Sequence, residues 1–160
     1  MRSFFRMRPT TNELFTSSLY DDANFYEAFM KDLSRASEMV IIESPYLTVK
    51  RAQFFSKVFA SLNNRGVTLR INTREPSHHD SILEDQAWRA IKILKDCGVR
   101  VFLCSDMRHR KLAIIDGLIL WEGSLNILSQ SDSTEIMRRT VSSEMCEQMA
   151  RFTKINTIQR

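Results

Sequence analysis

The stretch HRKLAIIDGLILWEGSLN, from His109 to Asn126, decides how the rest of the chain is read. A basic cluster runs into Leu112, Ala113, Ile114 and Ile115, and Leu118 to Leu120 follow a break at Asp116–Gly117. Short Ile-rich runs split by Asp-Gly predict two buried strands joined by a tight turn. Extended residues alternate faces, so a strand over residues 109–115 points His109 and Lys111 the same way, about 7 Å apart at their Cα atoms. Asp116 takes the opposite parity, at the turn. If the chain beyond the second strand is extended, Ser124 and Asn126 share a side as well. An imidazole, an ammonium, a hydroxyl and a carboxamide then converge at one end of a hairpin.

Those groups suit a phosphodiester. A neutral imidazole can attack phosphorus, an ammonium neutralises phosphate oxygens, and Ser and Asn donate hydrogen bonds to them. The spacing HxKxxxxD, six residues, then GSxN resembles the signature of the phospholipase D superfamily, filled here without insertion by His109, Lys111, Asp116, Gly123, Ser124 and Asn126. The resemblance implies an α/β layered fold, a mixed β-sheet flanked by helices. It implies a phosphodiesterase needing no metal and no cofactor, in which one histidine forms a phosphohistidine and a second protonates the leaving oxygen. The wider run HRKLAIIDGLILWEGSLNILSQSDSTEIMRR resembles phospholipase D-type domains found with bacterial DNA helicases and in small stand-alone nucleases. That implies a nucleic acid substrate, DNA ahead of RNA, and a helicase or other DNA-processing partner.

The chain holds a single copy of the motif. Neither His78 nor His79 is followed two residues on by Lys, since those places hold Asp80 and Ser81. The resemblance therefore implies a symmetric homodimer, with His109 of each subunit facing the other across a two-fold axis and both copies of Lys111 and Asn126 meeting one phosphate.

Composition sets wider bounds. The 160 residues, 43% hydrophobic, are enough for one domain, 1–160, with a sizeable core. A net charge of +4 permits a polyanionic partner without requiring one. Cys97, Cys104 and Cys146 are odd in number and lack CxxC spacing, which argues against a disulfide framework or a zinc site and for a reducing compartment. No run approaches a membrane span and the basic start has no apolar signal core, so the expected location is cytoplasmic.

In chain order, residues 1–20 read as irregular, with Phe4, Phe5, Leu14 and Phe15 either packing on the body or across a subunit boundary, or disordered. Asp21 or Asp22 is the expected N-cap of a helix carrying Phe25, Phe29, Leu33 and Ala36 on one stripe. Met39 to Ile42 reads as a buried strand ended by Glu43-Ser44-Pro45-Tyr46, because Pro45 breaks the ladder. A helix over Lys50–Asn64 follows, its face Phe54, Phe55, Val58, Phe59 and Leu62, and then a strand over Val67–Ile71. The polar connection TREPSHHDS leads to a helix over Ile82–Cys97 with Ile82, Ala87, Trp88, Ile91 and Leu94 inward. Val99–Cys104 reads as a strand, and Ser143–Ile158 as a helix with Met145, Met149 and Phe152 inward. Strands alternating with helices argue for an α/β fold, and the motif hairpin makes its sheet mixed.

Among the remaining candidates, Asp116 and Gly123 read as structural. The resemblance implies a carboxylate downstream of GSxN that orients the imidazole through Nδ1; Glu135 is the candidate, Asp132 its rival, and a solvated helix face the alternative. Arg108, Arg110, Arg138 and Arg139 either track a nucleic-acid backbone or form an ordinary basic face. His78 and His79 either reach the mouth of the site or stay in solvent. Trp121 reads as packing. The expected function is thus a nuclease. One alternative is a catalytically idle or partner-activated nucleic-acid-binding module. A phospholipid hydrolase stands lower, because no amphipathic membrane-docking stretch is visible.

Overall fold

A computed structural model describes residues 16–155, so Phe4, Phe5, Leu14 and Phe15 lie outside the described residues. In chain order the elements are β1 (Ser17–Asp21), α1 (Phe25–Arg35), β2 (Met39–Glu43), α2 (Val49–Asn64), β3 (Thr68–Arg74), a 3₁₀ turn over Pro76–His78, α3 (Ser81–Asp96), β4 (Arg100–Cys104), β5 (Leu112–Ile115), β6 (Ile119–Gly123), β7 (Ile136–Val141) and α4 (Ser143–Thr153). The strands form one mixed sheet in the order β1-β7-β6-β5-β2-β3-β4. β3 pairs in parallel with both β2 and β4, while β5 pairs antiparallel with β2 and β6, and β7 with β6 and β1. This is the α/β layered architecture that the motif implied.

β2 is central because both its faces are apolar. Val40 and Ile42 pack with Phe25, Phe29 and Leu33 of α1 and with Phe55, Phe59 and Leu62 of α2. Ile41, on the opposite parity, joins Leu112, Ile114, Leu120, Cys146 and Ile155. A strand covered on both faces reads as an unbroken apolar run, which is what MVII is. Trp121 is fully buried, and its Nε1 donates to Asp32 Oδ2 at 2.8 Å. Asp32 also takes a two-pronged ion pair from Arg139, at 2.7 and 2.9 Å.

Several expectations shift by a residue or a face. Residues 17–21 pair with β7 instead of being irregular, and β7 itself escaped the sequence reading. Helix α1 starts at Phe25 after Asn24, while Asp21 Oδ1 holds the amides of Ala23 and Asn24 in the preceding turn. In α2, Phe54 is exposed and its place in the core is taken by Ala52. In α3 the buried stripe is Ala87, Ala90, Ile91 and Leu94, which leaves Ile82 and Trp88 outside. Helix α4 is rotated likewise: Cys146 and Thr153 are buried, Met145 and Phe152 exposed. It ends at Lys154, whose left-handed φ of 52° turns Ile155 into the core.

Topology places the site. β4 is at one edge and β5 lies beyond β3 and β2, so residues 105–111 cross three strand spacings, about 14 Å. They cross over the C-terminal ends of two parallel strands, the end at which loops after β2 and β3 also emerge. His109 is therefore carried above those ends by the connection itself.

The hairpin turn anchors the far end of β5. Asp116 and Gly117 both have positive φ, 53° and 61°, as a turn of this hand requires. The Asp116 carboxylate accepts from the amides of Ser37, Glu38 and Met39 at 2.9, 2.8 and 2.9 Å and from Ser37 Oγ at 3.2 Å. Partial burial pushes its pKa up, but these donors outweigh it and leave the carboxyl below the ordinary range. Replacing Asp116 by Ala should cost about 2–3 kcal/mol, measured by urea unfolding at pH 7. Because the folded pKa is depressed, this contribution is present above about pH 4–5 and lost as the pH falls below. The gap between wild type and Asp116→Asn should accordingly close in acid.

Candidate active site

His109 and Lys111 precede β5 instead of lying in it, since the strand begins at Leu112. What holds residues 108–111 is a buried carboxylate. Glu43, at the end of β2 and 1% exposed, accepts from Arg108 Nη1 at 2.6 Å and from Arg110 Nη2 and Nε at 2.9 and 3.1 Å. Arg108 is also clamped by Asp106, at 2.6 and 2.7 Å. The two arginines flanking His109 are thus pulled to the sheet, and His109 takes the opposite side.

Lys111 folds back onto that histidine. Its Nζ lies 2.7 Å from His109 Nδ1 and 2.7 Å from the His109 carbonyl oxygen. An ammonium donates, so Nδ1 accepts here and a neutral ring carries its proton on Nε2. Partial burial, Lys111 and Arg74 together hold the His109 pKa below its ordinary value. Burial lowers Lys111 too, against the opposing pull of Glu135.

Glu135 does not reach the imidazole in the expected role, because Nδ1 is occupied by Lys111. Its carboxylate bonds Ser124 and Ser133, the latter at 2.7 Å, and these hydrogen bonds keep its pKa low. Ser124 Oγ accepts from the Ile136 amide at 3.0 Å and so joins the two chain segments after β6 and before β7. The chain beyond Gly123 turns instead of remaining extended, and the Asn126 carbonyl receives the amides of Ser129 and Gln130. Asn126 Oδ1 is buried without a partner, a polar atom awaiting a ligand or water. Gly123 is demanded by space: a Cβ there would sit 2.1 Å from the Ile136 carbonyl oxygen.

The four arginines expected to follow a nucleic-acid backbone do not share a face. Arg108 and Arg110 are paired with Glu43 and Asp106, and Arg139 with Asp32 on the α1 side. Arg138, on the other parity of β7, is exposed and donates to Ser17 Oγ at 2.8 Å. Of the histidine pair, His78 is exposed, whereas His79 packs its ring 5.0 Å from that of Tyr46, which lies 5.7 Å from His109 on an edge. The Ser44-Pro45-Tyr46 turn is fixed from both sides: the Ser44 amide donates to Asn72 O, and Ser44 Oγ accepts from Leu128 N. Among the described residues, no group of three or more His, Cys, Asp or Glu is placed to hold a metal ion.

A family model described as the cardiolipin synthase, PLD-like domain matches residues 29–155. The chain belongs to the phospholipase D superfamily. Solved structures share the phospholipase D-like fold at low identity. Nuc from Salmonella typhimurium, a phospholipase D family member, superposes with a TM-score of 0.71 at 14% identity, over 86% of this chain and 90% of that one. NucT from Helicobacter pylori gives 0.68 at 21%, over 86% and 92%. Polyphosphate kinase from Porphyromonas gingivalis gives 0.68 at 10%, over 89% of this chain but 26% of its own. No curated protein sequence matches the chain.

Three outcomes follow for this phospholipase D-like site. The His109 imidazole should titrate below about pH 6.5 by NMR, and Lys111→Met should move its midpoint upward by removing a facing cation. Glu43→Gln should cost about 3 kcal/mol, lowering the melting temperature by about 6–12 °C, because two arginines lose their buried partner. His109→Ala should leave the melting temperature within about 2 °C of wild type, since His109 is exposed.

Proposed function

We propose that the chain is a metal-independent nuclease that cleaves DNA through a phosphohistidine on His109, the second histidine coming from another copy of the chain. The observation that carries this reading is the Lys111 ammonium seated 2.7 Å from the nucleophile's ring, in a site that keeps His109 uncharged. A neutral imidazole has the lone pair that attack on phosphorus needs, and the ammonium is placed for the phosphate oxygens. Attack from Nε2 requires the proton on Nδ1, so the Lys111–Nδ1 contact must break first. An arriving phosphate supplies the reason, because its oxygens compete for the ammonium. Nuc and NucT share this fold over most of the chain's length, as does part of a polyphosphate kinase, so the choice of DNA rests on the sequence motif and its surroundings and not on the fold.

The reaction needs an acid at the leaving oxygen, and one subunit offers one HxK motif. A two-fold axis through the site supplies the other imidazole and couples the two titrations. Cleavage of labelled single- and double-stranded DNA in excess EDTA, lost in His109→Ala while DNA binding persists, is the expected outcome. EDTA-sensitive cleavage, or cleavage that survives His109→Ala, would overturn the reading. Binding without cleavage by either protein would support the idle module instead. Where wild type and His109→Ala subunits are unfolded together and refolded at equal amounts, about a quarter of the activity should remain if a site needs both histidines, against half for independent subunits.

A second reading has one observation in its favour. A groove of about 650 Å³ adjoins Lys111 and Ser124 and continues over Leu19, Leu112, Ile136 and Phe152, an apolar wall suited to an acyl chain. No described helix is long and apolar enough to cross a membrane. Release of headgroup from phosphatidylglycerol vesicles, abolished by His109→Ala, would favour this lipid chemistry over DNA.

A further inference from the structure

Three loops deliver side chains to the same end of the sheet, and the motif accounts for only one of them. The loop after β2 brings Tyr46, the end of β3 brings Arg74, the turn after it brings His79, and the crossing segment 105–111 brings His109. Tyr46 is wedged between two imidazoles, with ring centroids 5.0 Å from His79 and 5.7 Å from His109. Arg74 Nη2 reaches the His78 carbonyl at 3.4 Å and Met107 Sδ at 3.2 Å, so it bridges the His79 turn to the segment that carries His109. The charge of Arg74 falls on both rings, adding in each case to the effect of burial.

The state of this arginine sets it apart. Arg108 and Arg110 are paired with Glu43 and Asp106, and Arg139 with Asp32. Among its described contacts Arg74 has a carbonyl and a thioether but no carboxylate, and its Nε is buried with no hydrogen-bond partner. A guanidinium without a carboxylate on its outer N–H groups, at the same end of the sheet as His109, is placed to take an anion. The nearest acidic influence on His79 is Asp80, whose Oδ1 is already engaged by the amides of Ile82 and Leu83 at the start of α3.

We infer that Arg74, His79 and Tyr46 form a subsite for the phosphate and nucleoside next to the scissile phosphodiester, so that the chain grips a strand and not an isolated diester. Arg74 takes the neighbouring phosphate with its outer Nη N–H groups, since its Nε is closed off from solvent. His79, one ring nitrogen of which is hydrogen-bonded to the Pro45 backbone, donates from the other when the ring is protonated. Tyr46 offers the aromatic surface between the two phosphate positions, where a sugar or base can pack. The inference rests on the phosphodiesterase reading and narrows its substrate to a polymer with successive phosphates.

The test compares a ten-nucleotide single-stranded DNA with bis(p-nitrophenyl) phosphate, which has one phosphodiester and no neighbour. Arg74→Gln should lower the ratio of kcat/KM for DNA to that for the small diester by roughly tenfold, chiefly through KM. His79→Gln should lower it by roughly threefold, and Arg74→Lys should restore part of the loss. An unchanged ratio in Arg74→Gln, whether both substrates suffer equally or neither does, overturns the subsite. A binding arm uses the same labelled DNA on the His109→Ala protein, by fluorescence anisotropy. Adding Arg74→Gln should weaken binding by roughly the same factor and reduce the salt slope by about one phosphate. If wild type cleaves neither substrate, the phosphodiesterase reading fails. The binding arm then decides alone, and equal Kd values with and without Arg74→Gln overturn the subsite.

Discussion

A single carboxylate with almost no access to water organises the working end of this molecule. Glu43 closes the central strand, and the residues on either side of His109 reach back to it. An isolated charge there would be prohibitive to bury, and two guanidiniums beside one another would repel. Together they are tolerable, and their geometry leaves little freedom to the three residues between Met107 and Lys111. The His109 backbone is thereby held by its neighbours' side chains, while its own ring is exposed and meets Lys111. A site that must receive a bulky anion benefits from this division, because rigidity comes from residues the substrate does not touch.

The same arrangement separates two kinds of arginine that look alike in one dimension. Those neutralised by Glu43 and Asp32 serve the scaffold, and their charge is largely cancelled before any ligand arrives. Net basicity therefore overstates what a phosphate meets. Among the described residues, Lys111 and Arg74 reach toward His109 from different loops without a carboxylate hydrogen-bonded to them, and Arg138 is exposed in the groove beside Lys111. This also explains why a modest overall charge is compatible with a polyanionic ligand: position counts for more than sum.

Much of the architecture was legible because apolar periodicity is strong where layers meet. MVII, the Phe-rich helices and the Asp-Gly hairpin each declared themselves, and the motif spacing led to the family. Legibility failed where burial depends on a partner distant in sequence. β1 and β7 alternate weakly, since Arg138 and Arg139 occupy both faces of one strand, one in solvent and one in an ion pair. In α3 the face held at Ala87, Ile91 and Leu94 but was drawn too wide, taking in Ile82 and Trp88 and missing Ala90, while in α4 the register slipped because small Cys146 is buried and Met145 and Phe152 remain outside. Glu43 passed as the polar end of a strand. Its role appears only when the residues 65 and 67 positions away are brought beside it. Glu135 was read as a partner of the imidazole; its carboxylate bonds Ser124 and Ser133 here, and no spacing reveals that Lys111 turns back on His109.

The central position of β2 has a consequence for synthesis. Residues Val40 to Glu43 pair on one side with β5, which is made only after α2, β3, α3 and β4. At ribosomal rates of about 5–20 residues per second, the interval is roughly 4 to 14 seconds. During it the nascent chain carries an apolar strand with one edge open, beside helices that have already found partners. Such an edge is a template for the wrong strand, from the same polysome or another. Ordering by translation thus makes the hairpin next to His109 and Lys111 also the one that covers the open edge of β2, and a chain truncated before it would be expected to aggregate rather than linger as a folded fragment.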